Sequence, residues 1–400
     1  MVNESDLKTL VENGYFGNVT YVSSNLDKDA DKGTQFASVI NFVKITVNDG
    51  NKNIDYNIVI KKKHISEEAK EGFRSDDAFR NEYIMYTEIL PFLNAEKLNL
   101  FTKLYQGNIK DGSVKDGETL VFENVSLDGY RVTKEKVFID YNHIALAMKK
   151  LGEFHGLSYL AKKQNMNEFY KLAEQLIETK FTRDVENGEY VVVPCAKRGI
   201  QPLIDKNIEV ELLNNVLKKF ENNVEMAKII LKPEEPFSVI CLGDFCRNNI
   251  FFKYDNDNKP IDVKFFDLQN AIYSTPAVDI AFFLYMNTTA ELRDKHWDEF
   301  LSIYWNGIIS IDKNIEFTFE EFLEHFGKRA IYGYLPTSFF LPVCVDEENP
   351  IDIDEFSKLT MPQKKERLLK AAGEYGTKLI SDIVEHLLKK GYLKKFLKLF

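Results

Sequence analysis

The chain has 400 residues, 44% of them hydrophobic and 28% charged, which supplies ample material for a core and excludes a disordered polar chain. A net charge of −10 argues against a phosphate-backbone binder, so nucleic acid is not expected as a partner. Four cysteines (Cys195, Cys241, Cys246 and Cys344) with no CxxC spacing exclude a disulfide framework and a structural zinc site.

At the N-terminus, Glu4, Asp6 and Lys8 stand where a secretory leader needs an apolar stretch. No run approaches the roughly 18–20 apolar residues of a membrane span, so the expected location is the cytoplasm. Ser5 is placed to cap a helix over 6–13, and Gly14 suits its stop. QFASVINFVKITV (35–47) reads as a strand, Asn48, Asp49 and Gly50 as a turn, and 54–62 as the returning strand. Phe79, Tyr83 and Tyr86 keep helical spacing ahead of Pro91, and a strand pair is expected at 101–109 and 119–123.

After Glu123 the period changes. Ile144, Met148, Leu151, Phe154, His155 and Ser158 keep to one helical face, and 169–177 and 210–230 also read as helices. A compact β insert at 237–266 breaks this run before helices resume. The expected class is α+β: a small β-rich N-terminal lobe (1–125) on a larger helical lobe (126–400), joined near 123–129.

The most informative stretch is VICLGDFCRNNIFFKYDNDNKPIDVKFFDLQNA, 239–271. Two apolar strands, 250–254 and 261–266, flank the turn-rich DNDNKP. A hairpin centred near Asn258 puts Asn249 opposite Asp267, with Asp244 entering the same mouth. Two carboxylates and a carboxamide gathered at one point suit phosphoryl transfer. One carboxylate orients the attacking hydroxyl, and the other oxygens hold Mg²⁺ against a triphosphate. The D-x-x-x-x-N spacing, followed by a strand pair and then Asp, is how kinase-type catalytic loops are built.

CLGDFCRNN together with FFDLQNAIYSTPAVDIAFFLY resembles the ecdysteroid kinase-like family of insects, in the aminoglycoside phosphotransferase and choline kinase branch of the protein-kinase-like fold. The resemblance extends over nearly the whole chain: ASVINFVKITV and IVIK look like N-lobe strands, and FRNEYIMYTEILP like the lobe-spanning helix. LVFENVSLDGY looks like the hinge, and LGEFHGLSYLA like the first long C-lobe helix. It implies ATP and Mg²⁺ as cofactors and a small-molecule hydroxyl as acceptor. Asp244 matches the catalytic base, and Asn249 and Asp267 match the metal ligands. Lys61 matches the lysine on the α/β-phosphates, with Glu82 as its ion-pair partner. Alternation along the strand leaves open which of Lys61, Lys62 and Lys63 points inward. Glu123 and Val125 match hinge positions whose backbone binds adenine, and Gly33 stands in the place of the phosphate-covering loop.

The pattern departs from the family at Leu242, where the loop usually carries His, and at Cys246, which often is Trp. A leucine cannot donate the bracing hydrogen bond. A pseudokinase that binds nucleotide or a lipophilic ligand, or a choline or aminoglycoside-type kinase, therefore stand as alternatives. His155 is expected as a satisfied core histidine and Asp279 as a brace for the catalytic loop. The basic, apolar-striped C-terminus (Val384, Leu388, Tyr392, Phe396, Leu399) is expected to pack on its own domain. The resemblance implies an ecdysteroid or another bulky lipophilic alcohol as acceptor. The aromatic segments AFFLYM (281–286) and AIYGYLPTSFFLP (330–342) offer an apolar wall.

Overall fold

Glycine and asparagine punctuation sets the first layer. Helix α1 (Glu4–Glu12) stops before Gly14, whose φ of 79° suits a residue without a Cβ. Strands β1 (Thr20–Asp27), β2 (Ser38–Asn48) and β3 (Asn53–Lys63) follow. The β2–β3 turn is closed by the Asp49 carboxylate, which accepts the N–H groups of Asn51 and Lys52 at 2.8 Å each. The computed structural model describes residues 4–27, 38–63, 74–108, 118–180, 192–352, 355–356 and 358–400. Gly33 and the segment 67–72 lie outside them.

Helix α2 (Ser75–Ile84) runs on through a π turn, Met85–Ile89, before the chain reaches β4 (Leu104–Asn108) and β5 (Thr119–Glu123). The five strands form one antiparallel sheet in the order β1-β2-β3-β5-β4. One face packs on α1: Ile45, Ile58, Ile60 and Val121 join Leu7, Leu10 and Val11 in a small core of their own. The other face looks toward α2.

The short strand β6 (Tyr130–Arg131) is followed by α3 (Tyr141–Gln164), capped by Asp140 on the His143 N–H. The helix expected over 169–177 is instead α4, Met166–Ala173. It stops early because the backbone beyond it is captured by side chains of α2, as described below. The helix expected over 210–230 is two, α6 (Val210–Phe220) and α7 (Asn223–Leu231), after α5 (Val192–Asp205). Asn222 breaks it by accepting the Glu225 N–H as an N-cap.

The β insert comprises β7 (Val239–Cys241), β8 (Ile250–Tyr254), β9 (Pro260–Phe265) and β10 (Ile272–Ser274). Helices α8 (Ala277–Asn287), α9 (Ala290–Ile311), α10 (Phe319–Arg329), α11 (Ile331–Val345), α12 (Met361–Lys370), α13 (Gly373–Lys389) and α14 (Tyr392–Leu397) complete the lobe. Every residue of α8 is buried, so AFFLYM is chiefly core. The C-terminal stripe packs inward too: Val384 and Phe396 are buried, and the Tyr392 hydroxyl accepts the Trp297 indole N–H at 2.9 Å. The whole is a two-lobed α+β fold. Among the described residues no helix is long and apolar enough to cross a membrane.

Candidate active site

The sheet face that meets α2 decides which lysine enters the site. Ile58 and Ile60 face α1, so Val59, Lys61 and Lys63 face α2. Lys63 meets Asp76 at 2.7 Å, while Lys61 is buried and reaches deeper. Its Nζ donates to Glu82 Oε2 at 2.5 Å and to Asp267 Oδ1 at 2.8 Å. The other Glu82 oxygen accepts the Leu268 N–H at 3.3 Å, so this carboxylate grips both lobes. Burial alone would push the Lys61 ammonium down, but the carboxylates of Asp267 and Glu82 overcome it and hold the group above its usual value. One ammonium against two carboxylates leaves the trio with an uncompensated negative charge.

The expected hairpin forms, with a register one residue away from the one expected. Ile250 pairs with Phe265, and the Phe266 N–H donates to Asn249 C=O at 3.1 Å. Asn249 therefore lies opposite Phe266, not Asp267. The turn centres on Asp257, since Tyr254 pairs with Pro260, and a bulge between Lys253 and Tyr254 recovers only one of the two residues of offset. Asp267 follows directly, held at φ 62°, an unusual conformation for a residue with a Cβ, which aims its carboxylate back at Lys61.

Asp244 sits on the loop after β7. Gly243 turns the chain with φ 77°, and a Cβ there would lie 1.8 Å from the Asn270 carbonyl oxygen. Asp279, fully buried at the start of α8, accepts the Leu242 N–H at 2.7 Å and the Gly243 N–H at 2.8 Å. His155 donates or accepts between Asp279 Oδ2 at 3.1 Å and the Tyr304 hydroxyl at 2.8 Å, the satisfied core histidine that was expected. His155, Cys241 and Asp279 are the one His/Cys/carboxylate group found close together among the described residues. Its polar atoms are engaged by protein: Cys241 Sγ lies 3.2 Å from Thr275 C=O.

Asn249 donates Nδ2 to the Asp244 carbonyl oxygen at 2.9 Å. A carbonyl only accepts, so Asn249 Oδ1 is the atom left to face a ligand. Asp267 Oδ2 has only a 3.4 Å approach from Gln269 Nε2. Two hard oxygen donors beside an uncompensated negative charge fit a divalent cation such as Mg²⁺.

A lysine that no sequence feature singles out completes the cluster. Lys180 Nζ donates to Asp244 Oδ1 at 2.6 Å and to the Gly243 carbonyl at 3.0 Å. It lies 5.5 Å from the ring centroid of Phe282. The contact joins residues 64 positions apart, and no motif or periodicity carries such a signal.

At the other end of the site, β5 closes at Glu123, whose N–H goes to the Lys103 carbonyl at 2.9 Å. Val125 opens a 3-10 turn, Val125–Asp128, where its own N–H has no acceptor within the turn.

The sequence profile of the ecdysteroid kinase-like family matches residues 32–317. No curated protein matches in sequence. Among solved structures the chain is similar to an ethanolamine kinase of Plasmodium vivax, at 15% identity over 98% of this chain and 92% of that one, with a TM-score of 0.41. The profile spans well over half of the chain and takes in β3, α2, the catalytic-type loop and the acidic hairpin, and this chain belongs to the ecdysteroid kinase-like family.

Proposed function

We propose that the protein is an ATP- and Mg²⁺-dependent phosphotransferase that places a γ-phosphate on the hydroxyl of a small lipophilic alcohol, such as an ecdysteroid. The observation that carries this is the Lys61 ammonium bridging Glu82 and Asp267 across the two lobes, 21 residues of chain from the first and 206 from the second, and at hydrogen-bond distance to both. We take residues 1–125 as the nucleotide lobe and 126–400 as the catalytic and acceptor lobe.

In this account Lys61, oriented by Glu82, binds the α/β-phosphates. The Glu123 carbonyl and the Val125 N–H receive adenine. Asn249 and Asp267 hold the metal, which when bound supplies positive charge to the phosphate oxygens. Asp244 orients the acceptor hydroxyl and takes its proton as the oxygen attacks the γ-phosphorus. The bond to the β–γ bridging oxygen breaks, and ADP carries that electron pair away. Oδ2 of Asp244 is the available proton acceptor, since its contact with Asn249 Nδ2 is 3.3 Å while Oδ1 is held closely by Lys180.

Leu242 does not count against turnover, because the loop is held through its backbone rather than its side chain. A neutral acceptor is favoured by the surroundings of Asp244. Lys180 would repel a cationic choline or aminoglycoside group. Phe282 lies under Lys180 and sets an apolar ring beside the Asp244 contact.

The test is γ-phosphate transfer from ATP to ecdysteroids, other sterols, phenolic glucosides, choline and aminoglycosides. Phosphorylation of a steroid or glucoside hydroxyl supports the proposal. Exclusive use of the cationic acceptors sinks the lipophilic acceptor.

A further inference from the structure

The chain between α4 and the base-contacting Lys180 is a strap that leaves the helix in a turn and then runs without regular structure, its backbone gripped by side chains of α2 and its cap. Arg80 of α2 donates to the Gln175 carbonyl at 2.7 Å. Asn81, fully buried, clamps Ile177 from both sides: Nδ2 donates to its carbonyl at 2.7 Å and Oδ1 accepts its N–H at 3.0 Å. Arg74 donates to the Glu178 carbonyl at 2.7 Å. Thr179 then donates its hydroxyl to Asn270 Oδ1 at 2.8 Å, three residues beyond Asp267. Three side chains of the helix that carries Glu82, or of its cap, thus fix the path of the strap. Its last described residue delivers an ammonium to Asp244.

We propose that Lys180 is a further functional residue of the phosphotransfer reaction: it aims the Asp244 carboxylate and sets positive charge where the phosphoryl group passes. The inference rests on Asp244 being the base. A base acts within about 3 Å of the hydroxyl it deprotonates, and Lys180 lies 2.6 Å from Oδ1 of that base, the neighbour of the accepting Oδ2, so its ammonium stands within about 8 Å of the attacking oxygen. The catalytic loop supplies no ammonium of its own: between Asp244 and Asn249 it reads Phe-Cys-Arg-Asn, and Arg247 turns outward to the Lys136 carbonyl. In phosphoryl transfer most of the catalysis is positioning and neutralisation of spreading negative charge, and a preorganised cation costs no reorganisation at the moment of reaction. Because Asn81 neighbours Glu82 on α2, the two cations of the site, Lys61 and Lys180, are referred to one rigid helix.

The test compares wild type with Lys180→Met, Lys180→Arg and Asp244→Ala. The readout is phosphate transfer from Mg·ATP, both to 20-hydroxyecdysone and to water, with KM for ATP and the thermal midpoint measured alongside. Lys180→Met is expected to lose about 10²–10³ in kcat while KM for ATP and the midpoint hold. Lys180→Arg should recover at least about tenfold of that loss, because the charge is kept and its geometry is not. A Lys180→Met enzyme with kcat within about threefold of wild type overturns the inference, as does a loss that follows the midpoint and is not relieved by arginine. If Asp244→Ala itself retains turnover, or if wild type transfers phosphate to neither acceptor, the underlying assignment of the base fails instead, and the two failures are thereby told apart.

Discussion

Asp279 accepts the backbone N–H of Leu242 at 2.7 Å, and through that bond the loop bearing Asp244 is braced from the start of α8. The same carboxylate takes the Gly243 N–H and meets His155, so one buried side chain organises the turn. A leucine at position 242 costs nothing in this arrangement, since any residue with an N–H can make the bond. Asp279→Ala strands two buried amides, and unfolding stability should fall by about 2–5 kcal/mol with loss of turnover. Leu242→Met keeps the backbone bond and should hold turnover within about threefold. Chemical denaturation with parallel kinetics checks both.

Gly243 should tolerate no side chain. An added Cβ would meet the Asn270 carbonyl at 1.8 Å in a backbone conformation, φ 77°, that already disfavours one. Gly243→Ala should therefore displace the loop, costing about 2–4 kcal/mol of stability and most of the activity. A variant with wild-type midpoint and kcat would contradict the close approach.

Nucleotide binding should depend on the divalent cation. Lys61 is shared between Glu82 and Asp267, which leaves one carboxylate charge facing the incoming phosphates. Without metal that charge repels them. In a thermal-shift titration, ATP with Mg²⁺ should raise the midpoint, with about 2.7 kcal/mol of stabilisation at a hundred times Kd. ATP with EDTA should give a much smaller shift, and Asp267→Ala should abolish the difference between the two.

Acid should weaken the helical lobe through two buried imidazoles. Burial, and then the charges of Arg329 and Lys328, push His325 down to about 3; burial, and then Arg293, do the same for His386. In the unfolded chain both return to about 6.5. Above that pH their contribution to stability is fully present. As pH falls toward 3, the unfolded state takes up protons that the folded state refuses, at about 1.4 kcal/mol per pH unit for each histidine. The thermal midpoint should fall between pH 7 and pH 5, with a shallower slope in His386→Gln. An equal slope in that variant would contradict the neutral buried state of His386.

Much of the site is legible in the sequence because its parts are local. Asp244, Asn249 and Asp267 lie on one hairpin and the loop that enters it, and β8 was readable to the residue from its apolar run. The register missed by one because the turn centres on Asp257 and not Asn258, and a bulge, which leaves no mark in composition, recovers half of that offset. Which lysine of Lys61–Lys63 turns inward depends on which sheet face meets α2, a tertiary fact that alternation alone cannot supply. Lys180 was beyond reach for the same reason on a larger scale. Its strap reads as the tail of a helix, and only the captures by Arg80 and Asn81 pull it straight. The helix expected over 210–230 failed at Asn222, a capping residue whose signal was present but subordinate to the apolar run around it.

The most direct test of the central claim is transfer of labelled γ-phosphate from Mg·ATP to the best acceptor of the panel, by wild type and by Asp244→Ala and Asp267→Ala, with folding verified by circular dichroism. Asp244 and Asp267 occupy the two ends of the cluster built around Lys180 and Lys61. Wild type should transfer measurably and each variant should lose at least about 10³, since positioning and charge neutralisation supply nearly all of the catalysis. Near-wild-type transfer by either folded variant would contradict that claim.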